Sequence, residues 1–229
     1  MIAPKTGKVN FVKLIYTKEY VNNPEVVLIL AHGAGAPADS SFMEALASAL
    51  EKEGIACVRF EFPYMVKRRE DGKKRPPDRQ PKLLECFSGV VDAVLKDVGP
   101  DSLVLIGGKS MGGRMATLLA TEKKGIEGVA CFGYPFHPPG KLDRWRTDHF
   151  KDVEAPVLIV QGTRDPFGKP DEVADHLGAQ PGILLHWLEG GNHDFQPPVR
   201  LQKSQQGLIE EAAAETRRFI DENLNVRGR

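Results

Sequence analysis

Ser110, Asp165 and His193 are the residues of this chain whose types and spacing could together do covalent chemistry. Ser110 is the centre of Gly108-Lys109-Ser110-Met111-Gly112, a G-x-S-x-G pattern that follows the apolar run Leu103–Ile106. A serine at that centre, on a sharp turn from strand to helix, projects its hydroxyl above the sheet. The flanking glycines leave room for the helix to fold back over the strand. A serine hydroxyl attacks a carbonyl only when a base takes its proton and a third group holds that base. With this turn in a parallel sheet, the acid and then the histidine follow the serine along the chain. Asp165 lies in Gln161-Gly162-Thr163-Arg164-Asp165-Pro166, just past the apolar run Val157–Val160. His193 lies in Glu189-Gly190-Gly191-Asn192-His193-Asp194-Phe195, just past Ile183–Leu188. Order and strand-end placement predict a Ser-Asp-His triad. A phosphate loop is the rival reading of the same glycines. Its G-x-x-x-x-G-K-[ST] spacing would put the first glycine at Leu103, inside a strand.

Attack on a carbonyl builds negative charge on its oxygen, so backbone N–H donors must already face that point. One is expected from Met111, the residue after the nucleophile. The other is expected from Ala34, in the loop His32-Gly33-Ala34-Gly35 that follows the apolar run Val26–Ala31. His32 is expected to brace that loop. Tyr134, Phe136, His137, Phe167 and Phe195 are expected to form the substrate pocket, with Met111 adding to its apolar walls. Arg114, Lys141 and Arg164 are expected at its rim. The other histidines fit the base's role less well. His137 precedes the acid, His186 falls inside a strand and reads as packed core, and His149 and His176 fall in helical surface stretches. The side chain of Asp194 is expected to diverge from His193, and Asp171 reads as a helix cap.

These residues need a scaffold that brings several strand ends to one edge. Strands are expected at Asn10–Thr17, Val26–Ala31, Ala56–Phe62, Ser102–Ile106, Ile126–Phe132, Val157–Gln161 and Ile183–Leu188. Between them, helices are expected from Ser40 or Ser41 to about Glu53, over Pro81–Val98, over Met111–Glu122 and over Leu208–Leu224, with Gly207 just before the last. This alternation predicts the α/β class, a mostly parallel central sheet with helices on both faces, in a single domain over residues 1–229. Ligands of such sheets bind outside the carboxyl ends of the strands. The connection Gly133–Pro156 is short for a cap domain and is expected to hold at most a brief helix near Leu142–Phe150.

Lys+Arg and Asp+Glu number 31 each in 229 residues, so the net charge is zero and nothing global points to nucleic acid or a membrane surface. Cys57, Cys86 and Cys131 are far apart and odd in number, which fits neither a disulfide framework nor a metal cluster. Neither a signal peptide nor a membrane span is legible, so a cytoplasmic protein is expected. One segment departs from the average. Residues 67–82, KRREDGKKRPPDRQPK, hold eight basic against three acidic residues, a net charge of +5, with three prolines and one glycine. It reads as a solvated surface loop outside regular structure, with a flap, an anion collar or a docking surface as alternatives.

With these residues in hand, the chain resembles the α/β-hydrolases over nearly its whole length. More narrowly, it is similar to a small cap-less subgroup that includes bacterial predicted hydrolases, testis-expressed hydrolase-like proteins and the hydrolase-like domain of a subunit of the NSL histone-acetylation complex. The dienelactone-hydrolase-like branch is a broader relative. The matching stretches are LAHGAGAPADSSFM, KKRPPDR, GGKSMGGRMA, CFGYPFHPPGK, QGTRDPFG and GGNHDF. The resemblance implies the fold, a nucleophile at Ser110, an acid at Asp165 and a base at His193, and it does not deliver a substrate. The expected activity is hydrolysis of a small ester through an acyl-enzyme, with no metal or organic cofactor. The expected partner is that small molecule, without nucleic acid or membrane, and a homodimer is left open. A thioesterase or small peptidase would use the same residues, and a non-catalytic interaction module would keep the fold without turnover.

Overall fold

Continuous apolar runs such as Val26–Ala31 bury both faces of a strand, which requires helices above and below the sheet. The computed structural model describes residues 6–9, 12–178 and 180–224 and has that arrangement. Its elements are β1 (Thr6–Val9), β2 (Val12–Tyr16), β3 (Val26–Ala31), α1 (Ser41–Lys52), β4 (Ala56–Phe60), α2 (Pro63–Asp71) and α3 (Gln80–Asp97). They continue with β5 (Leu103–Lys109), α4 (Met111–Ala120), β6 (Gly128–Phe132), β7 (Val157–Gly162), α5 (Pro170–Leu177), β8 (Ile183–Leu188) and α6 (Gln205–Asn223). The strands form one sheet in the order β1-β2-β4-β3-β5-β6-β7-β8. From β4 to β8 neighbouring strands are parallel, and β1 and β2 add an antiparallel hairpin at one edge.

Alternate residues of β3 show how the core divides. Val26, Leu28 and Leu30 pack with Met43, Leu46 and Leu50 of α1 and with Leu208, Ile209 and Phe219 of α6. Val27, Ile29 and Ala31 face the opposite side, with Phe87, Val90 and Val94 of α3 and Met115 of α4. The chain leaves β3 for β4 on one side, then returns to β5 on the other. The loops after β3 and β5 therefore part at this reversal and leave a crevice at the carboxyl edge.

The glycines of β5 are set by crowding. A Cβ on Gly107 would lie 2.0 Å from the Ala130 carbonyl oxygen of β6. That neighbour is backbone and cannot rotate away. Gly107→Ala is expected to destabilise the fold by at least about 3 kcal/mol, read as a lowered denaturation midpoint with an unchanged m-value.

Several elements differ from the sequence expectation. The expected strand Asn10–Thr17 is the shorter β2, with β1 as its antiparallel partner. Residues 10 and 11 lie outside the described residues. The basic segment 67–82 is partly helical. Lys67 to Asp71 end α2, Gly72 stops it in the left-handed conformation (φ 70°), and α3 begins at Gln80. Pro81, where a helix is expected to begin, stands in the first turn of α3, and Pro63 stands in that of α2, where the missing N–H has no partner to lose. Gly207 lies inside α6 rather than before it, and its N–H donates to the capping Ser204 Oγ at 3.0 Å. The connection from Gly133 to Pro156 carries no inserted domain and no α-helix near Leu142–Phe150, only a short 3-10 turn at Phe150–Asp152. Lys169, not Asp171, is the N-cap of α5. Among the described residues no helix is long and apolar enough to cross a membrane.

Candidate active site

Ser110 occupies the turn between β5 and α4, with φ 52° and ψ −114°. This is a conformation that side chains other than glycine rarely hold, and it persists only where the surroundings enforce it. The enforcement here is close packing. A Cβ on Gly108 or on Gly112 would lie 2.3 Å from the Ala31 carbonyl oxygen. Only bare backbone at both positions lets α4 pass over the end of β3. The Ser110 N–H donates to the Phe132 carbonyl at 3.0 Å and ties the turn to β6.

The loops after β7 and β8 bring the other two side chains to the same edge. His193 Nε2 lies 2.9 Å from Ser110 Oγ, and His193 Nδ1 lies 2.8 Å from Asp165 Oδ2. A carboxylate can only accept, so Nδ1 carries the proton and Nε2 is the free lone pair facing the hydroxyl. Asp165 is fully buried. Its Oδ2 also accepts from Gln161 Nε2 at 2.9 Å, and its Oδ1 accepts from the Phe167 N–H at 2.9 Å. These bonds compensate a carboxyl group withdrawn from water. Gln161 was not foreseen as part of this cluster.

The crevice beside Ser110 has a volume of about 350 Å³, within the range of small-molecule sites. Its lining includes residues 33–36 of the loop after β3, Phe42 and Met43 of α1, Lys109, Phe167 and His193. Of the five side chains expected to form the pocket, Phe167 lines this cleft, with its ring 4.4 Å from that of His193. The other four are buried outside it. Tyr134 is in the core with its hydroxyl donating to the Arg146 carbonyl at 2.8 Å, and Phe136 packs edge-on against it. His137 is buried with Nε2 3.3 Å from Glu172 Oε2. Phe195 is buried behind Phe42, ring centroids 5.4 Å apart, so it supports the wall without forming it. The chain turns inward after β6 and after His193, and large apolar rings follow it into the core. Met111 does not line the cleft either, and Phe42 and Met43 supply the apolar wall in its place. Phe42 stands in the first turn of α1, and nothing in its residue type or spacing signals that this end of the helix meets the site.

The expected rim cations also lie elsewhere. Arg114 reaches Gln80 Oε1 and Arg164 reaches the Gly190 carbonyl, each at 3.4 Å, while Lys141 is exposed. The remaining histidines have other partners. His149 Nε2 lies 2.8 Å from Thr117 Oγ1, and His176 stacks on Trp145 at 3.7 Å. His186 is not packed core, since its two ring nitrogens stand 3.3 and 3.4 Å from Glu211 and Glu215.

The buried charge in the cleft is one that motif reading passes over. Lys109, the variable position before Ser110, is buried, and its Nζ lies 3.3 Å from Asp194 Oδ1. Burial pushes its ammonium down from the ordinary lysine value, against the opposing pull of Asp194 and Asp165. The side chain of Lys109 is 7% exposed and that of Asp194 is 66% exposed. Removing the lysine would leave a carboxylate that water already reaches. Lys109→Met is therefore expected to stabilise the fold by about 1 kcal/mol, roughly 2–4 °C in Tm. The unfolded chain binds this proton more tightly than the folded chain. Wild-type stability thus rises as pH climbs toward the ordinary lysine value of 10.5, and the variant's advantage shrinks over the same interval. Thermal melts at pH 7 and pH 10 check both signs.

The family model that describes an alpha/beta hydrolase domain matches residues 24–221. The chain belongs to the alpha/beta hydrolase family. No curated protein matches it. Among solved structures, this hydrolase is similar to the dienelactone hydrolase from Anabaena variabilis, with TM-score 0.70 and 20% identity, covering 96% of this chain and 97% of that one. It is also similar to Est1E from Butyrivibrio proteoclasticus, with TM-score 0.67 and 16% identity, covering 93% and 98%. A third likeness is to a serine hydrolase without lid from Xanthomonas campestris, with TM-score 0.65 and 21% identity, covering 93% and 94%. These likenesses are of fold.

Proposed function

We propose that this hydrolase is a serine esterase that cleaves small carboxylic esters through an acyl-enzyme. The observation that carries the reading is the hydrogen-bonded series Ser110–His193–Asp165 at the mouth of an open cleft. In the first step Ser110 Oγ attacks the ester carbonyl carbon and its proton passes to His193 Nε2. Asp165 holds Nδ1–H and offsets the charge of the imidazolium that forms. The carbonyl oxygen, now negative, is held by the N–H groups of Ala34 and Met111. Collapse of the tetrahedral intermediate expels the alcohol, which takes the proton from His193. Water then repeats the sequence on the acyl-enzyme and releases the acid. None of these steps calls for a metal or an organic cofactor. Phe42, Met43 and Phe167 make the walls apolar, and a cleft of about 350 Å³ without a cap suits a short acyl or aryl ester better than a long lipid chain.

The test is labelling of the purified chain with a fluorophosphonate, read by intact mass and peptide mapping, followed by a panel of esters and thioesters. Ferulic acid is bound in one structure of Est1E, so the panel includes a feruloyl ester. A single adduct on Ser110 with turnover of short esters is the expected result. Folded protein that takes no adduct and turns over no ester overturns the reading.

A further inference from the structure

The loop that supplies Ala34 is short, exposed and held from one side only. The Gly33 carbonyl accepts from His32 Nδ1 at 2.7 Å and from the Tyr64 hydroxyl at 3.3 Å. The same single O–H is shared with the Ala34 carbonyl, the nearer acceptor at 3.0 Å, and Arg68 Nη1 donates to the Gly35 carbonyl at 3.1 Å. Three successive carbonyls are thus engaged from the direction of α2. None of the peptide bonds among the described residues is cis. In a planar trans peptide the N–H points opposite to the C=O. Anchoring the Gly33 carbonyl therefore turns the Ala34 N–H away from Tyr64, and anchoring the Ala34 carbonyl does the same for the Gly35 N–H. Gly33 and Gly35 line the cleft, and a Cβ on Gly33 would stand 3.8 Å from Ser110 Cβ. Among the described residues neither the Ala34 nor the Gly35 N–H has a backbone acceptor.

We propose that Tyr64 is a positioning residue for the oxyanion hole, and that the Gly35 N–H joins those of Ala34 and Met111 as a third donor. This rests on the esterase reading above. Tyr64 is 1% exposed, in the first turn of α2, so its ring cannot swing away from the loop. Burial raises its phenol well above the ordinary value, and the hydroxyl keeps its proton at every working pH. His32 is the second anchor. Its Nε2 accepts the Phe62 N–H at 3.1 Å, which leaves the proton on Nδ1 for the Gly33 carbonyl, and burial keeps the ring neutral by lowering its proton affinity. Oriented donors of this kind act on the transition state, where the oxygen is charged, far more than on the bound ester.

Tyr64→Phe removes one oxygen and keeps the packing. With p-nitrophenyl butyrate as substrate, kcat is expected to fall roughly ten- to a hundredfold while KM stays within about twofold. Phenylboronic acid forms a tetrahedral adduct on serine, and its inhibition constant is expected to rise by the same factor as kcat falls. Arg68→Met frees only the Gly35 carbonyl, whose peptide carries the Ala36 N–H, so it slackens the loop without turning either donor and is expected to give a smaller loss of the same kind. Unchanged kcat in Tyr64→Phe overturns the proposal, and so does a loss confined to KM or Tm with boronate affinity intact. Should phenylalanine at 64 prevent folding, Gly35→Pro, which deletes the third N–H at a position with open space around it, carries both readouts, and equal kcat and boronate affinity there overturn it. A wild-type chain that hydrolyses no ester overturns the esterase reading together with this one. Turnover by wild type and variant alike overturns this one alone.

Discussion

Ser110→Ala is expected to reduce ester turnover by on the order of 10⁶ in kcat while leaving the fold intact. The size follows from the chemistry. Without Oγ there is no atom to form the acyl-enzyme, and the remaining donors can only assist attack by water. The fold should survive because the hydroxyl bonds to His193, a side chain on the surface of the cleft, while the turn itself is held by the Ser110 N–H to Phe132 and by the packing of Gly108 and Gly112 on Ala31. Alanine keeps the same strained φ of 52°, so the variant gains nothing from relaxation. The measurement is turnover of p-nitrophenyl butyrate beside fluorophosphonate mass shift and a thermal melt. Wild-type activity in a folded variant would remove Ser110 from the reaction.

Asp165→Asn is expected to cost about 10⁴ in kcat, with a smaller effect on KM. Three donors converge on the two oxygens of this side chain, namely His193 Nδ1–H, Gln161 Nε2–H and the Phe167 N–H. An asparagine has one acceptor oxygen and one NH2 group, with two N–H donors, in the same space. If its oxygen takes the Phe167 N–H, its amide faces both Gln161 and His193. The imidazole then lowers its energy by moving its proton to Nε2, where it can no longer accept from Ser110. The site is fully buried, so the mismatched amide also lowers stability by about 1–3 kcal/mol. Ester kinetics with a denaturation curve separate the two effects. A variant that loses stability but keeps kcat would mean that Asp165 serves the fold alone.

The cleft's chemistry also depends on parts that no motif announces. Gln161 closes the shell of Asp165, Lys109 is buried beside the nucleophile, and Tyr64 reaches the loop after β3 from the opposite side. Each lies next to a recognisable stretch, and none is distinguished by residue type. Their roles come from burial and from what they face.

The local parts of the hydrolase were legible in its sequence because their causes are local. Glycines on either side of Ser110 are required by the turn itself, and Val26–Ala31 or Val157–Val160 can only be strands covered on both faces. Parallel strands then put the loops bearing Ser110, Asp165 and His193 on one edge whatever their order in the sheet. Tertiary structure decided what depends on distant neighbours. Tyr134, Phe136, His137 and Phe195 looked like pocket walls because they follow strand ends, but the inward path of the backbone buries them, and Phe42 and Met43 of α1 line the cleft. Residues 67–82 read as a loop from their charge, proline and glycine content, but Lys67–Asp71 belong to α2 and Gln80–Lys82 to α3, because a proline in a first turn does not stop a helix. The sequence by itself determined which edge carries Ser110, Asp165 and His193, since periodicity and turn chemistry act over a few residues. The walls of the cleft, and the three donors that aim the loop after β3, were decided only when packing brought residues far apart in the chain into contact.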